Sequence, residues 1–484
     1  VSCSLRRFRP GPALAAAFVL ASPLSAQTTK ADVAAFLDGH TAQLSDVADQ
    51  IWGFAEIGYR ETRSAALLEQ QLADAGFTVT RGVAGIPTAF VASYGSGKPV
   101  IGILGEFDAL PGINQDSVPT RQPVDGKESA HACGHNLLGT ASLGAAFAVA
   151  RWLKSTGRSG TIRYYGTPAE EGGSGKVYMV RAGLFDDVDA VLTWHPGDRN
   201  DASPGNDLAI ISAKFRFHGV SAHAAAAPDR GRSALDGVEA FDYMANMMRE
   251  HVPQETRIHY VITNGGAAPN VVPDFAEVYY YVRHPNAEMA RSIFERLVAA
   301  AEGAAKGTGT TVDYEITGGS YAELPLSSLQ QLVYGNLKEV GGVTYDPRER
   351  KFAEMLKSTL PAEPSLSAAV EIQPFAPHQT YASSDAGDVS WNVPMSTLST
   401  ATWVPGTAAH SWQAVATGGM SIGDKGMLVA AKTLAFTAMD LFSDPARLAA
   451  ARAEFDKKRG PDFKYVPLLG DRKPPLDYRG SEKN

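Results

Sequence analysis

The segment His131-Ala132-Cys133-Gly134-His135-Asn136 places a thiol and an imidazole two residues apart, just ahead of a helix-forming run. Both are donors for divalent metals, and the glycine between them permits the tight turn that aims them at one point. Two ligands do not complete a site. A second segment, Thr167-Pro168-Ala169-Glu170-Glu171-Gly172-Gly173, presents adjacent carboxylates. On an extended or turning backbone they point apart, so one can ligate an ion while the other faces a water. An ion lowers the pKa of bound water from about 15.7 to about 7, and a nearby carboxylate then suffices as base. Trp194-His195-Pro196 and Gly406-Thr407-Ala408-Ala409-His410-Ser411 add two further histidines. Singly, these segments read equally as a buried cysteine beside capping histidines, a solvated acidic turn, and structural histidines. Together they supply Cys, His, Glu, His and His, enough donors for two divalent ions.

The elements that must position these residues alternate between strand and helix. Val100–Leu104 reads as a buried strand ending at Glu106-Phe107-Asp108, Thr161–Tyr165 as one ending at Glu170-Glu171, and Val188–Thr193 as one ending at His195. Asn136–Leu153 reads as a helix rich in Gly and Ala. Such alternation implies an α/β sheet with helices on both faces, whose sites gather beyond the carboxyl ends of strands. Asp108, Glu170, Glu171 and His195 all fall at such ends.

Residues 209–320 follow a different order. A strand (Ala209–Phe217), a helix (Ser233–Glu250), two strands (Thr256–Thr263 and Phe275–Arg283), a helix (Ala287–Gly303) and a strand (Thr311–Ile316) spell β-α-β-β-α-β, a ferredoxin-like insertion. It carries His223 in Gly219-Val220-Ser221-Ala222-His223-Ala224, Asn270 in Ala268-Pro269-Asn270-Val271-Val272-Pro273, and Arg283 at a strand end. An imidazole and a carboxamide can donate to an oxyanion, and a guanidinium can grip a carboxylate. The expected organisation is therefore a mixed-sheet α/β catalytic domain at 27–207 and 322–457, an inserted lid at 208–321, and a surface tail at 458–484.

With 484 residues, 44% hydrophobic and 20% charged, the composition is that of a globular protein. A net charge of −8 argues against nucleic-acid binding. Residues 1–26 read as an export signal: Arg6, Arg7 and Arg9 precede an apolar run from Ala13, and Ser25-Ala26 offers a cleavage point. The expected location is the periplasm or outside the cell, with twin-arginine export hinted by Arg6-Arg7. No later run is read as a membrane span. Of the two cysteines, Cys3 leaves with the signal, so Cys133 has no disulfide partner.

In this order the motifs resemble the aminoacylase/carboxypeptidase-like metallopeptidase clan, and within it the amidohydrolase branch that includes hydrolases of hippurate and of indoleacetyl-amino acids. The resemblance runs from about residue 30 to 442. It rests on Glu106-Phe107-Asp108-Ala109-Leu110-Pro111, the Cys133–His135 segment, Pro168-Ala169-Glu170-Glu171, His195, Ser221-Ala222-His223 and His410. It implies that Cys133, His135, Glu171, His195 and His410 bind two divalent ions, Zn or Mn, with Cys133 as a candidate bridge. It implies that Glu170 is general base and later proton donor, that Asp108 orients a metal ligand or the base, and that His223, assisted by Asn270, stabilises the oxyanion of a neighbouring protomer. The implied substrate is an N-acyl amino acid of the p-aminobenzoyl-glutamate kind. The implied partners are a second copy joined through the lid, or a related but distinct chain. Two departures stand out: Glu106 occupies a position where relatives in the clan carry a metal-binding histidine, and Asn136 one where the branch carries aspartate. Two other readings remain: a Cys133-nucleophile hydrolase, and a non-catalytic metal-binding or regulatory component of a related heteromeric hydrolase.

Overall fold

In the computed structural model, which describes residues 1–4, 28–362 and 364–480, the apolar runs build two separate sheets. The export segment expected at 1–26 falls almost wholly outside the described residues. The larger sheet contains β1 (Thr78–Arg81), β2 (Phe90–Ser96), β3 (Val100–Gly105), β4 (Gly160–Gly166) and β5 (Ala190–Leu192), and ends with Met395–Ser396. Its order is β1-β2-β4-β3-β5-Met395–Ser396. The pairs β1/β2 and β2/β4 are antiparallel and the rest parallel, so the sheet is mixed. Along β3, Ile101 and Ile103 enter one core while Val100 and Leu104 enter the core on the opposite face. That two-residue alternation, with both faces covered, explains why the strand reads as an unbroken apolar run.

The helix α1 (His135–Thr156) packs under this sheet, and every residue from His135 to Ala150 is buried. Its small residues allow the approach. A Cβ at Gly139 would lie 2.7 Å from the Glu106 carbonyl oxygen, and one at Gly144 would lie 3.0 Å from Leu44. The short helix α2 (Gly175–Arg181) lies on the other face.

The insertion follows the expected order: β6 (Ala209–His218), α3 (Ala234–Met248), β7 (Arg257–Asn264), β8 (Phe275–His284), α4 (Ala287–Thr308) and β9 (Thr311–Ser320). The strands form an antiparallel sheet in the order β7-β8-β6-β9. Phe215, Phe217, Phe241, Tyr280 and Phe294 fill a core between this sheet and its two helices. Ser233 and Asn286 cap the helices by accepting the Asp236 and Met289 amides. α4 runs past the expected Gly303 because Ala304 and Ala305 are also buried, and it stops at Gly309, where φ is 68°. β7 is an edge strand, and Tyr260, Val261 and Ile262 on it are exposed.

Two features of the C-terminal region bear on expectation. α5 (Ser421–Ser443) is long and apolar enough to cross a membrane by length and composition, with mean hydropathy 1.2. Of that stretch 78% is buried inside the fold, so its apolar character serves as core against α1 and the helices Lys30–Gly39 and Thr41–Phe54. Residues 460–480 form no helix or strand, yet they are not a solvated tail. Leu468 and Leu469 are buried, and the Tyr465 hydroxyl donates to Asp388 Oδ1 at 2.6 Å. Their anchors are scattered rather than periodic, so no helical or strand pattern announces the packing.

Candidate metal centre

The site forms where the chain leaves three neighbouring strands and enters α1. β3 delivers Glu106 and Asp108, β4 delivers Glu170 and Glu171, and the segment after β5 delivers His195. His195 does not end β5. It opens a separate short strand, His195–Gly197, paired in parallel with Ser399–Ala401. Cys133 and His135 flank Gly134, which has φ 75° and whose Cβ would lie 2.8 Å from Pro196. Only glycine fits there, on conformation and on space. The His410 loop is tied to the same place, since the His410 amide donates to the Ala132 carbonyl at 2.9 Å.

Among the described residues the donor atoms converge in three sets: Glu106, His135 and Glu170 form one, and the other two share Cys133. Those of Cys133, His135 and His195 lie within 4.8 Å of one another, as do those of Cys133, Glu171 and His410. Asp108 orients a member of each of these two. His135 Nδ1 lies 3.0 Å from Asp108 Oδ1 and 3.0 Å from its carbonyl oxygen, so that nitrogen must carry the proton. Nε2, which faces the cluster, is thereby the nitrogen available to ligate an ion once its own proton is displaced. Asp108 Oδ2 accepts the Glu171 amide at 3.0 Å. His135 Nε2, Glu106 Oε2 and Glu171 Oε1 are buried, and their neighbours are fellow members of the cluster: Nε2 faces Glu106 Oε2 at 3.1 Å, and Glu171 Oε1 faces His410 Nε2 at 3.3 Å. A thiol, imidazoles and a carboxylate aimed inward at one another fit divalent cations.

Electrostatics bear the marks of crowding. Burial works against the Cys133 thiolate, but the His135 charge and hydrogen bonds from His135 and His410 outweigh it and lower the thiol pKa. Burial alone would keep His195 neutral, yet the Glu106 carboxylate raises it to about 9. Hydrogen bonds to Cys133 and Glu171 raise His410 to about 10. Glu170 is pushed well above the ordinary carboxylate range, first by burial and then by Glu106, Glu171 and Asp385. His131, by contrast, points away: its Nε2 meets the Ile51 carbonyl at 3.0 Å, and burial lowers its pKa to about 3, as in a neutral structural histidine. Asn136 bridges to the Gly418 carbonyl at 3.0 Å and faces no charge partner.

Several members of the site carry little signal in the sequence. Glu106 is not idle: its Oε2 sits 3.1 Å from His135 Nε2 and 3.3 Å from His195 Nε2. Its other oxygen meets Lys176 Nζ at 2.7 Å, and Lys176 also pairs with Asp385 at 2.6 Å, all three being buried. Glu61, fully buried, accepts the Ala169 amide at 2.8 Å and so holds the start of the carboxylate turn. A charged residue inside an apolar helix pattern, as at Lys176, is the one available pointer.

Cys133, Glu170, Glu171, His195 and His410 line one cavity of about 560 Å³, together with Trp403, Ser383 and Ser384. Arg283 reaches its rim, where Nη1 donates to Ser383 Oγ at 3.1 Å and Nε lacks a partner. His223 and Asn270 are not brought to this cavity. They lie together on the exposed surface of the insertion, joined by the Ala224 amide to the Asn270 carbonyl at 3.0 Å.

A mixed α/β domain with a helix-flanked sheet, an inserted antiparallel lid and donor sets at strand ends defines a metal-dependent hydrolase, and the chain belongs to peptidase family M20/M25/M40, which it matches over residues 102–353. It is 42% identical over 447 residues to one of the subunits of p-aminobenzoyl-glutamate hydrolase from Escherichia coli, covering 86% of this chain and 93% of the relative. It is 26% identical to the other named subunit of that enzyme, covering 64% of this chain and 81% of the relative. Among solved structures, the aminobenzoyl-glutamate utilization protein of Klebsiella pneumoniae shares the fold, with TM-score 0.61, 20% identity and coverage of 84% of this chain and 98% of that one.

Proposed function

We propose that the chain hydrolyses the amide bond of an N-acyl amino acid, with an aroyl glutamate such as p-aminobenzoyl-glutamate as the first candidate. The observation that carries this reading is the pair of donor sets sharing Cys133, with Glu170 facing the same cavity. The relative at 42% identity supports the substrate class. Two divalent ions, Zn or Mn, would be held by Cys133, His135 and His195 on one side and by Cys133, Glu171 and His410 on the other. Bound there, they supply Lewis acidity and make water nucleophilic at neutral pH.

The chain's own residues do the rest. Glu170 takes the proton of the attacking water and returns it to the leaving nitrogen. A carboxyl raised by burial suits that two-way role near neutral pH. Asp108 holds His135 by Nδ1, which leaves Nε2 as the ligating nitrogen. Arg283, with its unpartnered Nε, receives the carboxylate of the amino-acid half. His223 and Asn270 face outward, which suits donation to the oxyanion in a second copy's site. The exposed apolar edge strand β7 supports a homodimer through the lid. Export through the 1–26 signal, with metal holding the Cys133 thiolate, completes the reading.

The test is an amide panel of p-aminobenzoyl-glutamate, hippurate, indoleacetyl-aspartate and short dipeptides, run with Zn²⁺ or Mn²⁺ and after chelation. Cleavage of the first that is lost on chelation and restored by metal is expected. Chelator-resistant activity blocked by thiol alkylation would favour a Cys133 nucleophile instead. Activity that appears only on adding a related chain would assign this one a supporting role, in keeping with the two differently named subunits among its relatives.

A further inference from the structure

The turn that carries Glu170 and Glu171 has backbone hydrogen bonds of its own, from the Gly172 amide to the Glu170 carbonyl and from the Gly173 amide to the Ala169 carbonyl, but it also leans on distant segments. Ala169 and Ser174 have φ of 59° and 61°, a region costly for residues with a Cβ, so surrounding contacts must impose it. Two of those contacts come from early in the chain. Glu61 accepts the Ala169 amide, and the Tyr59 hydroxyl donates to the Gly173 carbonyl at 2.6 Å. The third comes from more than three hundred residues later. The Tyr478 hydroxyl donates to the Glu171 carbonyl oxygen at 3.1 Å, and Arg479 Nη2 donates to the same oxygen.

We propose that residues 465–480 form a clasp on the catalytic turn, in which Tyr478 and Arg479 are positioning residues for Glu171. The Glu171 amide is held by Asp108 and its carbonyl by the clasp, so both ends of the residue's backbone are fixed. Only the side chain is left to adjust, and its Oε1 lies 3.3 Å from His410 Nε2. The clasp is itself anchored along its length. Tyr465 donates to Asp388, Tyr321 donates to the Val466 carbonyl at 2.9 Å, and Leu468 and Leu469 are buried. Arg472 donates to the Ile316 carbonyl of β9 at 2.7 Å, which ties the same segment to the lid. At its far end Arg60 donates to the Gly480 carbonyl at 2.7 Å, and the Tyr478 ring packs edge-on against Tyr59 at 5.6 Å. A segment so fastened aims two donors at one oxygen, and groups that orient a metal ligand in this way govern metal affinity.

The proposal rests on reading Glu171 as a metal ligand, and the experiment separates the two. In the full chain, Tyr478→Phe, Arg479→Ala, Arg479→Lys and Glu171→Gln are compared for metal affinity by chelator competition, for the visible spectrum of the Co²⁺ form, and for kcat and KM. Arg479→Ala is expected to weaken binding of one ion and lower kcat by about 10- to 100-fold, with KM unchanged. Arg479→Lys should restore most of both, and the Co²⁺ spectrum should shift in Arg479→Ala alone of that pair. Tyr478→Phe keeps the ring packing and removes one donor, so it gives a folded readout whatever Arg479→Ala does to stability. If it and the Arg479 variants bind metal like the parent chain while Glu171→Gln loses an ion, the clasp is overturned and the site stands. If Glu171→Gln keeps both ions, the site reading and the clasp fall together.

Discussion

The chain places histidines in two settings that differ in burial. In the catalytic domain His135 is wholly buried, held at Nδ1 by Asp108 and facing Glu106 with Nε2. In the lid His223 is exposed, and its Nδ1 accepts only the Ala225 and Ala226 amides of its own turn. A buried imidazole held in one orientation among acidic neighbours is built to bind something fixed in place. An exposed one outside the cavity lining can act only on what comes to it. The contrast divides the molecule into a pre-organised centre and a surface whose chemistry depends on a second body.

The largest break in that contrast should come from Glu170→Ala. Turnover is expected to fall by up to about 10⁴-fold while bound metal is unchanged, measured by steady-state kinetics and metal analysis of one preparation. Full activity would sink the mechanism. Lys176→Met tests the buried side in stability: it leaves Glu106 and Asp385 without their cation, at a cost of about 3–5 kcal/mol in denaturant unfolding. On the lid, His223→Ala should lower kcat by about 10²–10³-fold. Mixing it with Glu170→Ala should recover activity if the histidine acts across a dimer, and recover none if it acts within its own chain. Arg283→Ala should raise KM for carboxylate-bearing substrates through loss of a charged hydrogen bond of about 1.5–3 kcal/mol, with little change for an amide-capped analogue. Smallest in stability is Val261→Lys on the exposed edge of β7: unfolding should move by no more than about 0.5 kcal/mol, while sedimentation should show a monomer where the proposed lid dimer would give the parent chain twice that mass.

The two regions are also unequally legible. The lid's order of strands and helices can be read because its elements show one apolar face and its helices begin at recognisable caps, Ser233 and Asn286, although α4 runs on to Gly309, past the end at Gly303 that its sequence suggests. In the catalytic domain β3 and β4 are legible as apolar runs followed by acids. β1 and β2, which make the sheet mixed, are not, since β1 is largely exposed and offers little hydrophobic signal. Lys176 and Glu61 escape because a buried charge is explained by its partners, and those lie far away in sequence: Asp385 is 209 positions from Lys176, and Ala169 is 108 from Glu61. The clasp escapes for the same reason, its meaning residing in one carbonyl 307 positions from Tyr478.

The sequence by itself supplied the candidate donors and determined the class of chemistry, because metal-binding residues are few in kind and here cluster in short motifs such as the Cys133–His135 segment. It also determined the order of the insertion, because helix and strand periods are local. Only the tertiary structure decided that Cys133 belongs to two donor sets, that Glu106 reaches between His135 and His195, and that Tyr478 and Arg479 hold the catalytic turn. Those are facts of convergence. Distances between groups hundreds of residues apart are fixed by packing and by buried hydrogen bonds, and neither has a local signature in the chain.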